Sequence, residues 1–233
     1  MVTVKNLMIT IDKKTIINNI SCTLLPGRIT LFLGKSGAGK TTLLKSIEGL
    51  IPLSSGSITL NDNQDSTKLT ASQRAEKIGY VFQEFNLFPH LTALENCVDP
   101  LLIHGTKPSN ALAQATALIT LLDLGKHLDA YPSQLSGGQQ QRIALARALC
   151  LQPEVLLCDE PTASLDPVNT DLLVTLLQSL AQQGLTIGIS TQDMSFAKKM
   201  FDRAYLLEGG TILEICESKK ELTRCPLLQS FLQ

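Results

Sequence analysis

The run Gly34-Lys35-Ser36-Gly37-Ala38-Gly39-Lys40-Thr41 fits G-x-x-x-x-G-K-[ST], a spacing whose chemistry is phosphate binding. Its glycines let backbone N–H groups turn inward around phosphate oxygens, and a helix starting there adds the positive end of its dipole. Lys40 would reach the β- and γ-phosphates of a nucleotide, and Thr41 would offer its hydroxyl to Mg2+. Thr42, next in the chain, belongs to the same cradle. A second group is Asp159-Glu160, which ends the apolar run Val155-Leu156-Leu157-Cys158. Acids at a strand end are often only solvated. Beside a phosphate loop they supply what hydrolysis needs: Asp159 to hold magnesium through water, and Glu160 to polarise the attacking water as general base. The third group is LSGGQQQR, Leu135 to Arg142. Ser136 and Gln139 have the spacing of a capping box at a helix start. Gly137 and Gly138 would each cost that helix about 1 kcal/mol against alanine. They make sense where a phosphate must approach the backbone closely.

These groups need a scaffold, and the flanking sequence supplies one. Short β-branched runs fill the first sixty residues: Val2 to Leu7, Thr15-Ile16-Ile17, Ile29 to Leu33 and Ile58-Thr59-Leu60. Strands are expected there. Thr41 to Glu48 has helical apolar spacing at Leu43, Leu44 and Ile47, with Gly49 placed to end it. The phosphate motif therefore sits between a strand and a helix. Ile78 to Phe82 predicts a buried strand. From about Ala93 to Cys150 the pattern turns helical, with interruptions expected at Pro100, Pro108, Gly125 and Pro132. This block reads as a helical lobe inserted into an α/β core. Val155 to Cys158 suits a strand covered on both faces. Asp166-Pro167 predicts the start of a helix that reaches about Gln183 and closes at Gly184. Thr186 to Ser190 and Ala204 to Leu207 predict strands, and Gly209-Gly210 a hairpin turn into Thr211 to Ile215.

Composition narrows the class. The 233 residues are 44% hydrophobic and 18% charged, values of a folded domain rather than a disordered chain. A net charge of −1 provides no global field for nucleic acid. The cysteines, Cys22, Cys97, Cys150, Cys158, Cys216 and Cys225, form no C-x-x-C pair or zinc spacing, so free buried thiols are expected. No charged and apolar leader precedes Val2, and no apolar run nears the roughly 20 residues of a membrane helix. A cytosolic chain is the expectation. The histidines, His90, His104 and His127, are scattered in the lobe and read as surface or packing residues, and Met194, Met200 and Phe201 as helix core.

A phosphate loop alone leaves several classes open, and no Asn-Lys-x-Asp guanine-reading motif is present. The combination of pieces resembles the ATP-binding cassette (ABC) ATPases over nearly the whole chain. The matching pieces are residues 34–41, Gln83 in Tyr80-Val81-Phe82-Gln83, the signature at 135–139, the strand and acids at 155–160, and Ser164-Leu165-Asp166. The resemblance implies an α/β fold: a P-loop NTPase (RecA-like) core with an N-terminal antiparallel β subdomain and an inserted helical subdomain. By it, residues 1–85 and 151–233 approximate the core, and 86–150 the helical part. It implies a Mg-dependent ATPase using ATP and Mg2+, with Gly34 to Thr42 at the phosphates and Thr41, Gln83 and Asp159 around the metal. In that family one subunit's signature completes the other's ATP site. Ser136, Gly137, Gly138, Gln139 and Asp166 would therefore meet nucleotide across a dimer.

The finer resemblance is to the ATP-binding subunits of polar amino acid importers, through Phe88-Pro89-His90-Leu91-Thr92, Gln139-Gln140-Gln141 and Asp193-Met194-Ser195-Phe196-Ala197. Importers for metals, lipids or methionine share parts of these and stay as alternatives. The implied partners are integral membrane permease subunits, a second copy or paired ABC subunit, and indirectly an extracytoplasmic solute-binding protein. Nucleic acid is not among them. The implied location is cytoplasmic, on the inner face of the cell membrane. A soluble cassette ATPase for nucleic acid or ribosomes is the rival class. Such proteins usually carry two cassettes, coiled-coil inserts or zinc cysteines, and none of these is in the sequence. A P-loop kinase does not account for the signature.

Two positions depart from the pattern. Ile11 stands where the family typically has an aromatic that stacks on adenine, which implies a weaker hold on the base. Gln192 stands where the family has a histidine that bonds the γ-phosphate. A glutamine amide donates but carries neither charge nor a mobile proton. Slow hydrolysis is the favoured expectation, with compensation by a residue such as Lys35, or a low-turnover switch, as alternatives.

Overall fold

Three strands with no exposed position lie at the centre of the molecule. Strands β3 (Ile29–Leu33), β7 (Val155–Asp159) and β8 (Thr186–Thr191) are buried at every position, as strands covered on both faces must be. The computed structural model describes residues 1–61, 64–163 and 165–232. The central strands join β6 (Ile78–Val81), β9 (Arg203–Glu208) and β10 (Thr211–Cys216) in the order β10-β9-β3-β8-β7-β6. Neighbours pair in parallel except β9 and β10, the hairpin across Gly209-Gly210. Parallel pairing brings the ends of β3, β8 and β7 to one edge, with Leu33 opposite Thr191 and Asp159 opposite Ser190. The phosphate loop and the acidic pair open side by side there, which is where ligands bind in open α/β sheets.

A second, antiparallel sheet has the order β2-β1-β4-β5, formed by β1 (Val2–Ile11), β2 (Lys14–Leu24), β4 (Ser55–Leu60) and β5 (Gln64–Asp65). Strand β1 runs past its expected end at Leu7, because irregularities between Val4 and Thr10 let the pairing resume. Helix α1 (Lys40–Glu48) buries Leu43, Leu44 and Ile47 in the apolar layer with this sheet. It ends at Gly49, whose left-handed backbone returns its N–H to the carbonyls of Lys45 and Ser46. In a second core cluster α6 (Pro167–Gln182), α7 (Met194–Met200) and α8 (Pro226–Leu232) contribute Leu177, Phe196 and Leu228.

The helical part has its own core, built from α3 (Ala93–Ile103), α4 (Pro108–Leu121) and α5 (Gly137–Leu149) around Cys97, Ile119, Ile143 and Ala146. Pro108 starts α4, but Pro100 does not interrupt α3. Cys97 and Leu101, on either side of Pro100, both sit in the lobe core. That packing outweighs the roughly 3 kcal/mol cost of an interior proline. Helix α2 (Ala71–Lys77), begun by a Thr70/Gln73 capping box, is an addition to the elements read from sequence.

The six cysteines are free and buried. Burial, and then the neighbouring Asp159 carboxylate, push the Cys158 thiol up to about 12, so it is inert at neutral pH. His104 sits against the Pro100 carbonyl at 2.9 Å. No cluster of metal-ligating His, Cys, Asp or Glu occurs among the described residues. Met200 and Phe201 are core residues, whereas Met194 is exposed, since it opens α7 at its outer end. Among the described residues no helix is long and apolar enough to cross a membrane.

Candidate active site

The phosphate loop leaves β3 at Gly34, where a Cβ would stand 2.3 Å from the Leu207 carbonyl oxygen. It enters α1 at the N-cap Gly39, whose left-handed φ of 100° suits a glycine. No side chain caps α1. Helices α2, α3, α5, α6 and α7 begin with a Thr, Ser or Asp side chain that accepts an N–H of the first turn, whereas α4, which like α1 has no side-chain cap, opens with Pro108, which has no N–H to satisfy. An uncapped N-terminus leaves its donors for an external anion. The space in front of it is a cavity of about 360 Å³, lined by Ser36 to Thr42 together with Lys14, Ile16, Gln83, Glu160 and Gln192.

Lys40 is buried, with 5% of its surface exposed. Its Nζ donates to the carbonyls of Gly34 (2.8 Å) and Lys35 (3.2 Å) and stands 3.2 Å from Glu160 Oε1. The other Glu160 oxygen accepts the Gln192 backbone N–H at 3.0 Å. Glu160 has a left-handed φ of 45°, a conformation that costs a non-glycine residue about 1–3 kcal/mol and clusters at functional sites. Its N–H donates to the Ser190 carbonyl (3.0 Å) and hydroxyl (3.1 Å), which hold the turn.

Asp159 Oδ1 accepts the hydroxyls of Thr41, at 2.8 Å, and Ser190. Its Oδ2 faces the Tyr80 hydroxyl at 3.4 Å. Burial first, and the Asp159 charge second, push the Tyr80 phenol well above its ordinary range, so it stays a donor. The hydroxyl of Thr41, the Asp159 carboxylate and the nearby Gln83 amide are hard oxygen groups, the set that suits Mg2+.

Most residues expected at the phosphates therefore converge. Ser36, Gly37, Ala38, Gly39, Lys40, Thr41, Thr42, Gln83, Glu160 and Gln192 line one cavity. Gly34 and Lys35 reach it through the carbonyls that hold Lys40, while Lys35 also borders a separate cavity with Leu213 and Phe231. Ile11 stands outside the lining, 41% exposed beside the β1–β2 turn. No signature residue lines the cavity among the described residues.

The signature instead satisfies itself. Ser136 is exposed, its hydroxyl accepts the Gln139 N–H at 3.3 Å, and its N–H donates to Gln139 Oε1 at 2.8 Å. Gln139 Nε2 reaches His127 Nε2 at 3.2 Å. Gly138 has a packing reason as well: a Cβ there would stand 2.7 Å from the Asn169 side chain. Asn169 is bound to Asp166, the N-cap of α6, and its hydrogen bonds hold the Asp166 carboxyl below its ordinary range. Behind the signature, buried Gln141 donates to the Pro161 carbonyl just after Glu160. Ser164 lies outside the described residues. Lys14, Ile16, Tyr80 and Ser190 are site residues that the sequence reading missed. Only Tyr80 had a visible signal, its place three residues before Gln83.

The profile of the ABC transporter family matches residues 17–163. The chain is 41% identical over 219 residues to the L-cystine transport system ATP-binding protein TcyN of Escherichia coli (strain K12), covering 91% of this chain and 88% of that one. It is 36% identical over 237 residues to the glutamine transport ATP-binding protein GlnQ of the same strain, covering 100% and 99%. The dimeric post-hydrolysis state of the ATP-binding cassette MJ0796, bound to ADP and Pi, superposes with a TM-score of 0.84 at 32% identity, over 93% of this chain and 98% of that one. A nucleotide-free cassette from an ABC transporter, at 22% identity and a TM-score of 0.89 over 100% and 98% of the two chains, has the same fold. With the phosphate cradle, the acidic pair and the signature on one such fold, the chain belongs to the ABC transporter family and is an ATP-binding, ATP-hydrolysing subunit.

Proposed function

We propose that this ATPase drives import of polar amino acids, working as a dimer that closes around two ATP molecules. The observation that carries the reading is the asymmetry of the site. The uncapped α1 cradle binds phosphate with one side of the cavity, and the signature, at work elsewhere in its own chain, is free to complete the site of a second copy. The relatives named above serve cystine and glutamine transport, which supports amino acids as the solute class. Permease subunits in the membrane, a solute-binding protein beyond it and a location on the inner membrane face follow from that role. Residues 86–150 would turn as a helical unit against the core of 1–85 and 151–233.

In this reading Lys40 exchanges the carbonyls of Gly34 and Lys35 and the Glu160 carboxylate for phosphate oxygens. That exchange frees Glu160 Oε1 to accept a proton from water while the Gln192 backbone N–H keeps Oε2 fixed. Thr41, Asp159 and Gln83 would hold Mg2+, which neutralises charge on the phosphates. The Gln192 side chain, on the cavity wall, would donate a hydrogen bond to the γ-phosphate but could move no proton, so slow hydrolysis is the expectation. No aromatic residue lines the cavity among the described residues, so the base would meet aliphatic groups, with Ile16 as the candidate in place of Ile11.

Affinity purification from detergent-solubilised membranes tests the transporter role. An integral membrane protein should co-purify, and loss of the chain should reduce uptake of labelled cystine or glutamine. Recovery of soluble partners alone, with uptake unchanged, would contradict it.

A further inference from the structure

Ser190 is completely buried at the end of β8, the strand between the phosphate-loop strand and the acidic strand. Its hydroxyl proton goes to Asp159 Oδ1, since an ionised carboxylate only accepts. Its oxygen in turn accepts the Glu160 N–H at 3.1 Å. One hydroxyl thus ties the Asp159 carboxylate to the left-handed turn that aims Glu160. Thr41 grips the same Oδ1 from α1, at 2.8 Å. The two hydroxyls differ in what carries them. Thr41 belongs to the phosphate loop, whereas Ser190 belongs to the central sheet and lines no part of the cavity.

We propose that Ser190 is a positioning residue for the reaction: it fixes the plane of Asp159 for the metal and the turn of Glu160 for the water. The inference rests on Asp159 being the metal-side carboxylate. Groups that hydrogen-bond a metal's ligands ordinarily carry about 10–100-fold in affinity or activity. An apolar residue at position 190 would leave Oδ1 to Thr41 alone and the Glu160 N–H to a backbone carbonyl.

Mn2+ binding to the ADP-loaded protein, followed by electron paramagnetic resonance in the parent, Ser190→Ala and Asp159→Asn, tests it. Ser190→Ala should bind Mn2+ about 10-fold or more weakly, with metal-free ADP affinity unchanged. Parent-like Mn2+ binding by Ser190→Ala, beside a loss in Asp159→Asn, would overturn the inference and leave Asp159 in its role. Parent-like binding by Asp159→Asn would overturn the assignment beneath it. An equal loss of metal-free ADP affinity in Ser190→Ala would mark a structural role only, and would also overturn the proposal.

Discussion

Around Lys40 the polar groups are buried and answered within the chain, whereas around Ser136 they lie at the surface and answer one another. Lys40, Glu160, Asp159 and Ser190 form one interlocked set at the sheet edge, with Gly34, Lys35, Thr41, Tyr80 and Gln192 supplying further contacts. Ser136 and Gln139 close a capping box on an exposed helix end. In the first region two carbonyls and a carboxylate hold Lys40 where phosphate oxygens would bind it. The second is a finished helix terminus whose Ser136 lies exposed, while Gly138 packs on Asn169 and Gln139 reaches His127. Damage to the two should therefore separate: the first weakens nucleotide binding by the single chain, the second weakens assembly while that binding stays intact.

The largest effect is expected from Lys40→Met. It leaves Glu160 buried without its cation, a loss on the order of 3 kcal/mol, and should weaken nucleotide binding at least about 100-fold, roughly 2.7 kcal/mol. Lys40→Met/Glu160→Gln should recover most of the stability in urea unfolding and none of the binding. Recovery of neither would mean the ion pair is incidental to the fold.

Gly138→Ala probes the other region. Its Cβ meets Asn169 at 2.7 Å, an overpacking that costs about 1–3 kcal/mol. Adding Asn169→Gly should return part of that stability without returning ATP-driven dimerisation. If both return, the glycine serves packing only. Ser136→Ala should cost about 1 kcal/mol through the lost cap while nucleotide titrations of the monomer stay unchanged; a weakened monomer affinity would join the two regions in one chain.

The smallest effect lies beside the phosphate region. Burial, opposed by the nearby Arg74 charge, raises the Glu48 carboxyl to about 7 from its ordinary 4.5. The folded chain keeps a proton that the unfolded chain releases across that window, so stability falls as pH rises from 4.5 to 7 and is lowest above it. Glu48→Gln should be about 1 kcal/mol more stable than the parent at pH 8, after solvent screening at its open edge, and the two should converge below pH 5. Thermal unfolding at both pH values checks this.

The same contrast governs what the sequence made legible. The phosphate loop, the Ser136/Gln139 box and the Asp166 cap are contacts between near neighbours in the chain, so spacing alone revealed them. Ser190 owes its position to the parallel register that sets it opposite Asp159, and no local pattern encodes a register between strands thirty residues apart. Gly138 looked wasteful until Asn169, from another helix, occupied the space a Cβ would need. Pro100 predicted a break because local propensity was read without the lobe core that carries α3 through it. Ile11 was placed by its strand, but the β1–β2 hairpin presents Lys14 and Ile16 to the cavity instead. Local chemistry was readable, and chemistry assembled by tertiary packing was not.

The split site is tested most directly by sedimentation velocity of Glu160→Gln with saturating ATP and Mg2+, beside the same protein carrying Ser136→Arg. Glu160→Gln should sediment as an ATP-dependent dimer, and the added Ser136→Arg should return it to monomer with ATP still bound. An ATP-loaded Glu160→Gln monomer, or a dimer indifferent to Ser136→Arg, would contradict a signature that serves the neighbouring nucleotide.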